Sequence, residues 1–119
     1  IKSNKHTISA FAHIRIFRFL RTQEVIMREK TIEAKLVQAV RLNGGLAPKL
    51  TSPGFDGVPD RLVLLPGGRI AFIELKASGK TLRPLQARRK KQLEALGFSV
   101  YCIDKQEQIG GILGEIQGT

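Results

Sequence analysis

In 119 residues the chain has one cysteine, no tryptophan, one tyrosine and one methionine. A single cysteine, Cys102, excludes an intrachain disulfide and any cysteine-built metal cluster. It sits in the apolar run Val100-Tyr101-Cys102-Ile103. That placement predicts a buried, inert thiol rather than a nucleophile and fits a reducing, cytoplasmic setting. No apolar run approaches the ~20 residues that a membrane span requires, so no membrane partner is expected. Acidic residues are also scarce. Ten Asp and Glu stand against twenty Lys and Arg, for a net charge of +10 and a pI near 10.4. Such an excess is the electrostatic footprint of a polyanion binder. There is no internal repeat and no low-complexity segment. A hydrophobic content of 42% with 25% charged residues is ordinary for a globular domain of one core.

A nucleotide-binding loop is excluded as well. Gly79-Lys80-Thr81 looks like the end of a Walker A motif, but Glu74 stands where its upstream glycine is required. No nucleotide cofactor is therefore expected.

What is present centres on residues 59–76. Two apolar runs flank Pro66-Gly67-Gly68, a β-hairpin signal. Asp60 opens the first strand; Glu74 and Lys76 interrupt the end of the second. Residues two apart on a strand share a face, so Glu74 and Lys76 point the same way. If Gly67-Gly68 alone form the loop, Asp60 faces Leu75. If Pro66-Gly67-Gly68 form it, Leu65 pairs with Arg69 and Asp60 lies beside Glu74. The three-residue loop, with glycine in the left-handed region, is the favoured register. It brings two carboxylate-bearing Cβ atoms to roughly 5 Å. Such a pair repels and raises one pKa unless a divalent cation, which suits oxygen ligands, lies between. A surface ion pair between Glu74 and Lys76 with Asp60 as a turn cap is the plainer reading. Against it, apolar residues on both faces (Ile70, Ala71, Phe72, Ile73, Leu75) mark an interior strand, where charges need partners.

Around this hairpin the periodicity predicts a helix over 28–43, with Ile32, Leu36, Ala39 and Val40 inward and Gly44-Gly45 as its stop. Glu33 lies at the margin of that stripe. Residues 46–50 contain Pro48 and predict an edge strand. Residues 51–57 form a turn-rich loop, whose Asp56 is a lesser acidic candidate. Thr81 is the expected N-cap of a second helix reaching Leu96, with Leu82, Leu85, Leu93 and Leu96 as its stripe. Its Arg88, Arg89, Lys90 and Lys91, with Lys80 and Arg83, are candidate phosphate contacts on a basic chain. Residues 98–104 read as a last strand and 105–117 as a helix weakened by Gly110, Gly111 and Gly114. The expected fold is an α/β sandwich with a mixed four-stranded sheet flanked by helices.

Residues 1–26 fit neither period cleanly and are set apart from a core domain over 27–119. Three readings stand open: upstream or non-native sequence with Met27 as the natural start, an ordered accessory strand or helix, and a basic targeting or membrane-surface segment.

Pro59-Asp60 followed after the hairpin by Glu74-Leu75-Lys76 resembles the PD-(D/E)XK nuclease signature. Together with Gly57-Val58-Pro59-Asp60-Arg61 and Leu82-Arg83-Pro84-Leu85-Gln86, it resembles the stand-alone VRR-NUC branch of that superfamily, over roughly Thr31 to Asp104. The resemblance implies a restriction-endonuclease-like core and a Mg²⁺- or Mn²⁺-dependent DNA endonuclease. The implied metal ligands are Asp60, Glu74, Glu33 and the Leu75 carbonyl. Lys76 is the implied catalytic lysine, and Gln86 the implied orienter of water, Lys76 or a phosphate oxygen. It further implies a homodimer acting on branched DNA such as four-way (Holliday) junctions, and products with a 5′-phosphate and a 3′-hydroxyl. A flap or single-strand nuclease of the same fold, a non-catalytic nucleic-acid-binding module and a basic RNA-associated structural protein are the alternatives.

Overall fold

The computed structural model describes residues 9–118. Helix α1 (Ala10–Leu42) leads into a hairpin of β1 (Arg61–Leu65) and β2 (Arg69–Leu75). Helix α2 (Pro84–Ala95), strand β3 (Val100–Ile103), a 3₁₀ turn at Gln106–Gln108 and helix α3 (Ile109–Gly118) follow. The sheet order is β1-β2-β3. The β1–β2 pair is antiparallel and the β2–β3 pair parallel. The sheet is therefore mixed, as expected, and β2 is its interior strand. No helix among the described residues is long and apolar enough to cross a membrane.

The strand count is three rather than four. Residues 46–50 do run along the outer edge of β1: Leu46 and Leu64 exchange backbone bonds, and Leu62 N donates to the Pro48 carbonyl at 3.0 Å. They form only isolated bridges, Leu46↔Leu64 and Lys49↔Arg61. Pro48 lies between the two bridges and has no N–H to donate, so the ladder does not become continuous.

Hydrophobic burial ties the layers together on one face of the sheet. Val63, Leu65, Ala71, Ile73, Leu75 and Ile103 pack there against Ile32, Leu36 and Val40 of α1 and Ile109, Leu113 and Ile116 of α3. Helix α3 forms despite its glycines because this face is buried in the common core. Helix α2 lies on the other side of the sheet and buries no residue fully. Its expected apolar stripe is only partly used, since Leu85 is 39% and Leu96 74% exposed. Its N-cap is Arg83, with Pro84 as the first helical residue. Pro84 disfavours helical backbone at the residue before it, so the helix cannot start at Thr81.

Helix α1 begins far earlier than residue 28. Ser9 caps it, its side chain accepting from Ala12 N at 3.1 Å. Residues 10–26 thus take the ordered accessory helix form; residues 1–8 lie outside the described set. The segment packs against almost nothing, so no inward stripe was imposed on its sequence. Phe11, Ile16, Phe17, Phe19 and Leu20 are all more than half exposed.

The helix stops where glycine was expected to stop it. Gly44 has φ +81°, and at Gly45 a Cβ would meet the Leu64 carbonyl oxygen at 2.2 Å and Leu65 Cδ2 at 2.8 Å. Only a residue without a side chain lets the chain turn this tightly from α1 onto β1. Gly45→Ala is expected to lower stability by about 1–3 kcal/mol through overpacking, read as a lower urea midpoint at unchanged m-value.

Candidate active site

The hairpin register decides the site. Leu65 pairs with Arg69 and Arg61 with Ile73, so the loop is Pro66-Gly67-Gly68. Both glycines hold positive φ, +86° and +75°, as a loop of this kind demands. One step beyond the last pair, Asp60 stands opposite Glu74, the arrangement the three-residue loop predicts. The β1 entrance is held by Asp60 Oδ2, which accepts from Leu75 N at 2.8 Å, while the Asp60 carbonyl accepts from Leu50 N at 2.9 Å.

Glu74 is 3% exposed and its carboxyl is pushed up from 4.5 to about 8. Burial is the largest cause, followed by the hydrogen bond with Asp60 and the Asp60 charge; Lys76 and the Leu75 N–H pull the other way. At neutral pH Glu74 therefore keeps its proton, which a cation would displace. Lys76 is 9% exposed. Its N–H donates to the Ile103 carbonyl at 2.9 Å, carrying the parallel ladder one residue past β2. Cys102 pairs with Glu74 across β2 and β3. Its thiol is half-buried and pushed up by burial, then by the Glu74 and Asp104 charges, which suits an inert thiol.

A cavity of about 350 Å³ opens at this end of the sheet, between α1 and residues 49–60. Glu29, Lys30 and Glu33 of α1 line it with Lys49, Asp60 and Leu75. Glu33 thus reaches the site, though not as a ready ligand. Its Oε2 accepts from Arg61 Nε at 2.9 Å, and Arg61 Nη1 also donates to the Ala47 carbonyl at 2.6 Å. Among the described residues no three His, Cys, Asp or Glu side chains stand together as a metal cage. The expected set of Asp60, Glu74 and Glu33 is therefore not assembled, because Arg61 holds Glu33. The donor chemistry of the Asp60–Glu74 pair alone fits a hard divalent cation.

Glu29 was not singled out from the sequence. It lies one turn before Glu33 on the same helix face, and its Oε1 accepts from Ala77 N at 2.9 Å. The i,i+4 pairing of glutamates was the available signal. It reads equally as a solvated helix face until the sheet end is placed against it.

The remaining expected residues divide. Gln86 Oε1 accepts from Arg83 N at 2.9 Å, which caps its own helix. Arg89 is committed inside the molecule: Nε donates to the Asp56 carbonyl at 2.7 Å, Nη1 donates to Gln92 Oε1, and its guanidinium lies 3.8 Å over the Phe55 ring. Lys90 pairs with Glu94 at 2.9 Å. Arg88, Lys91, Arg83 and Lys80 are exposed. Asp56 is exposed and contributes its backbone to Arg89. Gly57 (φ +83°) packs on Leu85, whose Cγ a Cβ would meet at 2.7 Å. That close approach brings the loop before Asp60 onto the first turn of α2.

The raised Glu74 carboxyl makes stability pH-dependent. Its folded-state pKa lies above its unfolded value, so its contribution is full below about 4.5 and is lost as pH rises through about 8. In metal-free buffer the wild type should lose stability across this window relative to Glu74→Gln, by on the order of 1 kcal/mol per pH unit. Urea denaturation of both proteins at several pH values measures the difference.

No protein-family model matches the chain. It is 50% identical over 82 residues to "Putative nuclease p44" of Acyrthosiphon pisum secondary endosymbiont phage 1, covering 69% of this chain and 88% of that protein. A solved structure described as a VRR_NUC domain superposes with a TM-score of 0.70 at 28% identity, over 73% of this chain and 95% of the other. With its interior strand ending in Glu74-Leu75-Lys76 beside Asp60, the chain belongs to the VRR-NUC family of nucleases.

Proposed function

We propose that the protein is a divalent-metal-dependent endonuclease that hydrolyses DNA phosphodiester bonds. The observation that carries this reading is the Asp60–Glu74 carboxyl pair, in which Glu74 is buried and its carboxyl raised beside Asp60, followed by a buried lysine. Nothing in the packing requires charge there, and the arrangement costs stability unless a cation offsets it.

Asp60 and Glu74 would hold Mg²⁺ or Mn²⁺, with the Leu75 carbonyl. Glu33 would join them only by exchanging Arg61 for the cation. When bound, the cation polarises the scissile phosphate and lowers the pKa of a coordinated water. Glu74 must give up its proton first, which the adjacent Lys76 charge favours. Lys76 then offers its ammonium to the charge that develops on the phosphate. Glu29 acts through the backbone: by accepting from Ala77 N it fixes the chain immediately after Lys76. Gln86 acts by capping α2, which carries the exposed Arg88 and Lys91 as DNA contacts. The net charge of +10 supports a polyanionic substrate.

Branched DNA such as a four-way junction, cut by a homodimer, is the finer reading. The family resemblance supports it, and a two-fold dimer offers two symmetric cuts. No zinc-finger or helix-turn-helix signature in the sequence argues for sequence-specific cutting.

The test is cleavage of a labelled four-way junction beside duplex, flap and single-strand substrates, with Mg²⁺, Mn²⁺ or EDTA. Lys76→Ala is expected to lower kcat by about 10²–10³-fold or more while DNA binding persists. Metal-independent cutting, or an active Lys76→Ala protein, would overturn the mechanism. Cutting of flaps alone would keep the chemistry and replace the substrate. Glu29→Ala should lower kcat by roughly tenfold at unchanged KM, and Glu29→Gln should restore it, because the amide oxygen still accepts from Ala77 N. A raised metal requirement in both variants would make Glu29 a ligand instead.

A further inference from the structure

Helix α1 carries Arg18, Arg21 and Thr22 on its exposed N-terminal half. Arg18 and Arg21 are three residues apart and share a face. Lys80, from the connection between β2 and α2, is brought alongside them. Together with Val25 and Ile26 these residues line a second open cavity, of about 390 Å³. Three cations converge there and no carboxylate lies in the wall. Among the described residues the ion pairs are Arg28–Glu24, Arg61–Glu33 and Lys90–Glu94, so none neutralises this group. Glu24, the acidic residue nearest in sequence, is taken by Arg28. Arg21 also lies 5.5 Å over the Phe17 ring, a contact that orients the guanidinium and leaves its charge in place. Like charges drawn together by the fold repel unless an anion joins them.

The position of the cleft indicates which anion. Ile26 lines both this cavity and the catalytic one that holds Glu29, Glu33 and Asp60, so the two adjoin. At ~1.5 Å rise per residue, Arg18 and Arg21 lie roughly 12–17 Å along α1 from Glu29. That distance corresponds to about four or five nucleotide steps at ~3.4 Å each. A free phosphate would fill one cavity or the other, whereas a polymer of phosphates spans both.

We propose that Arg18 and Arg21 of α1, with Lys80, form a backbone-phosphate subsite for the DNA strand that runs out of the catalytic cavity. This deepens the nuclease reading and rests on it. The N-terminal half of α1 is then a substrate rail.

The test is binding rather than cleavage, so it stands apart from activity. Full-length protein carrying Lys76→Ala is titrated in EDTA against two labelled duplexes, one long enough to span both cavities and one too short. Fluorescence anisotropy is read over a range of salt concentrations. Adding Arg18→Ala and Arg21→Ala should reduce the slope of log affinity against log salt by about 2 on the long duplex, at ~0.9 per phosphate contact. The short duplex should show no change. Lys80→Ala, which leaves the helix sequence intact, should reduce the slope by about 1, and circular dichroism checks that α1 survives in each variant. An unchanged slope on the long duplex overturns the subsite even if the enzyme cleaves. Unchanged slopes accompanied by loss of a dimer would assign the surface to a second copy of the chain, and also overturn it. If the slopes fall as expected while no substrate is cut, the subsite stands and the catalytic reading fails.

Discussion

The fold places two carboxyl groups side by side, and burial together with the neighbouring Asp60 raises the Glu74 carboxyl. Asp60 and Glu74 meet because the Pro66-Gly67-Gly68 loop sets the hairpin register and because β2 is covered on both sides by β1 and β3. A slip of one residue would turn Asp60 to the other face and dissolve the pair. Much of the molecule serves to prevent that slip. The inward-facing residues Val63, Ala71, Ile73 and Leu75 lock the sheet onto α1 and α3. The parallel β3 ladder continues through Lys76 N.

Helix α1 is the second constraint. Two of its glutamates, one turn apart, reach the two ends of the signature: Glu33 takes Arg61, the residue after Asp60, and Glu29 takes the N–H of Ala77, the residue after Lys76. The helix therefore clamps the hairpin by charge and hydrogen bonding as well as by the apolar stripe of Ile32, Leu36 and Val40. In the Glu33–Arg61 pair the arginine satisfies the charge of the glutamate and holds it at the margin of the cavity.

Basic charge divides into two kinds in this structure. Part of it does structural work, as where Arg89 ties the loop before the signature to α2 through Asp56 and Phe55. Among the described residues, Arg18 and Arg21 of α1 and Lys80 of the β2–α2 connection are in none of the ion pairs. A run such as Arg88-Arg89-Lys90-Lys91 looks uniform in sequence, yet helical geometry sends neighbours to different surroundings, and only some remain available to phosphate.

The sequence by itself determined the hairpin, its interior strand, the core face of α1 and its glycine stop, and it favoured the register that sets Asp60 beside Glu74. All of these follow from local periodicity and turn chemistry, which act over a few residues. Tertiary structure alone decided the rest. Glu33 turned to Arg61. Glu29 became a site residue and Lys80 joined Arg18 and Arg21. Each of these depends on which groups compete for the same hydrogen bond or charge once distant segments meet, and spacing along a chain carries no record of that competition.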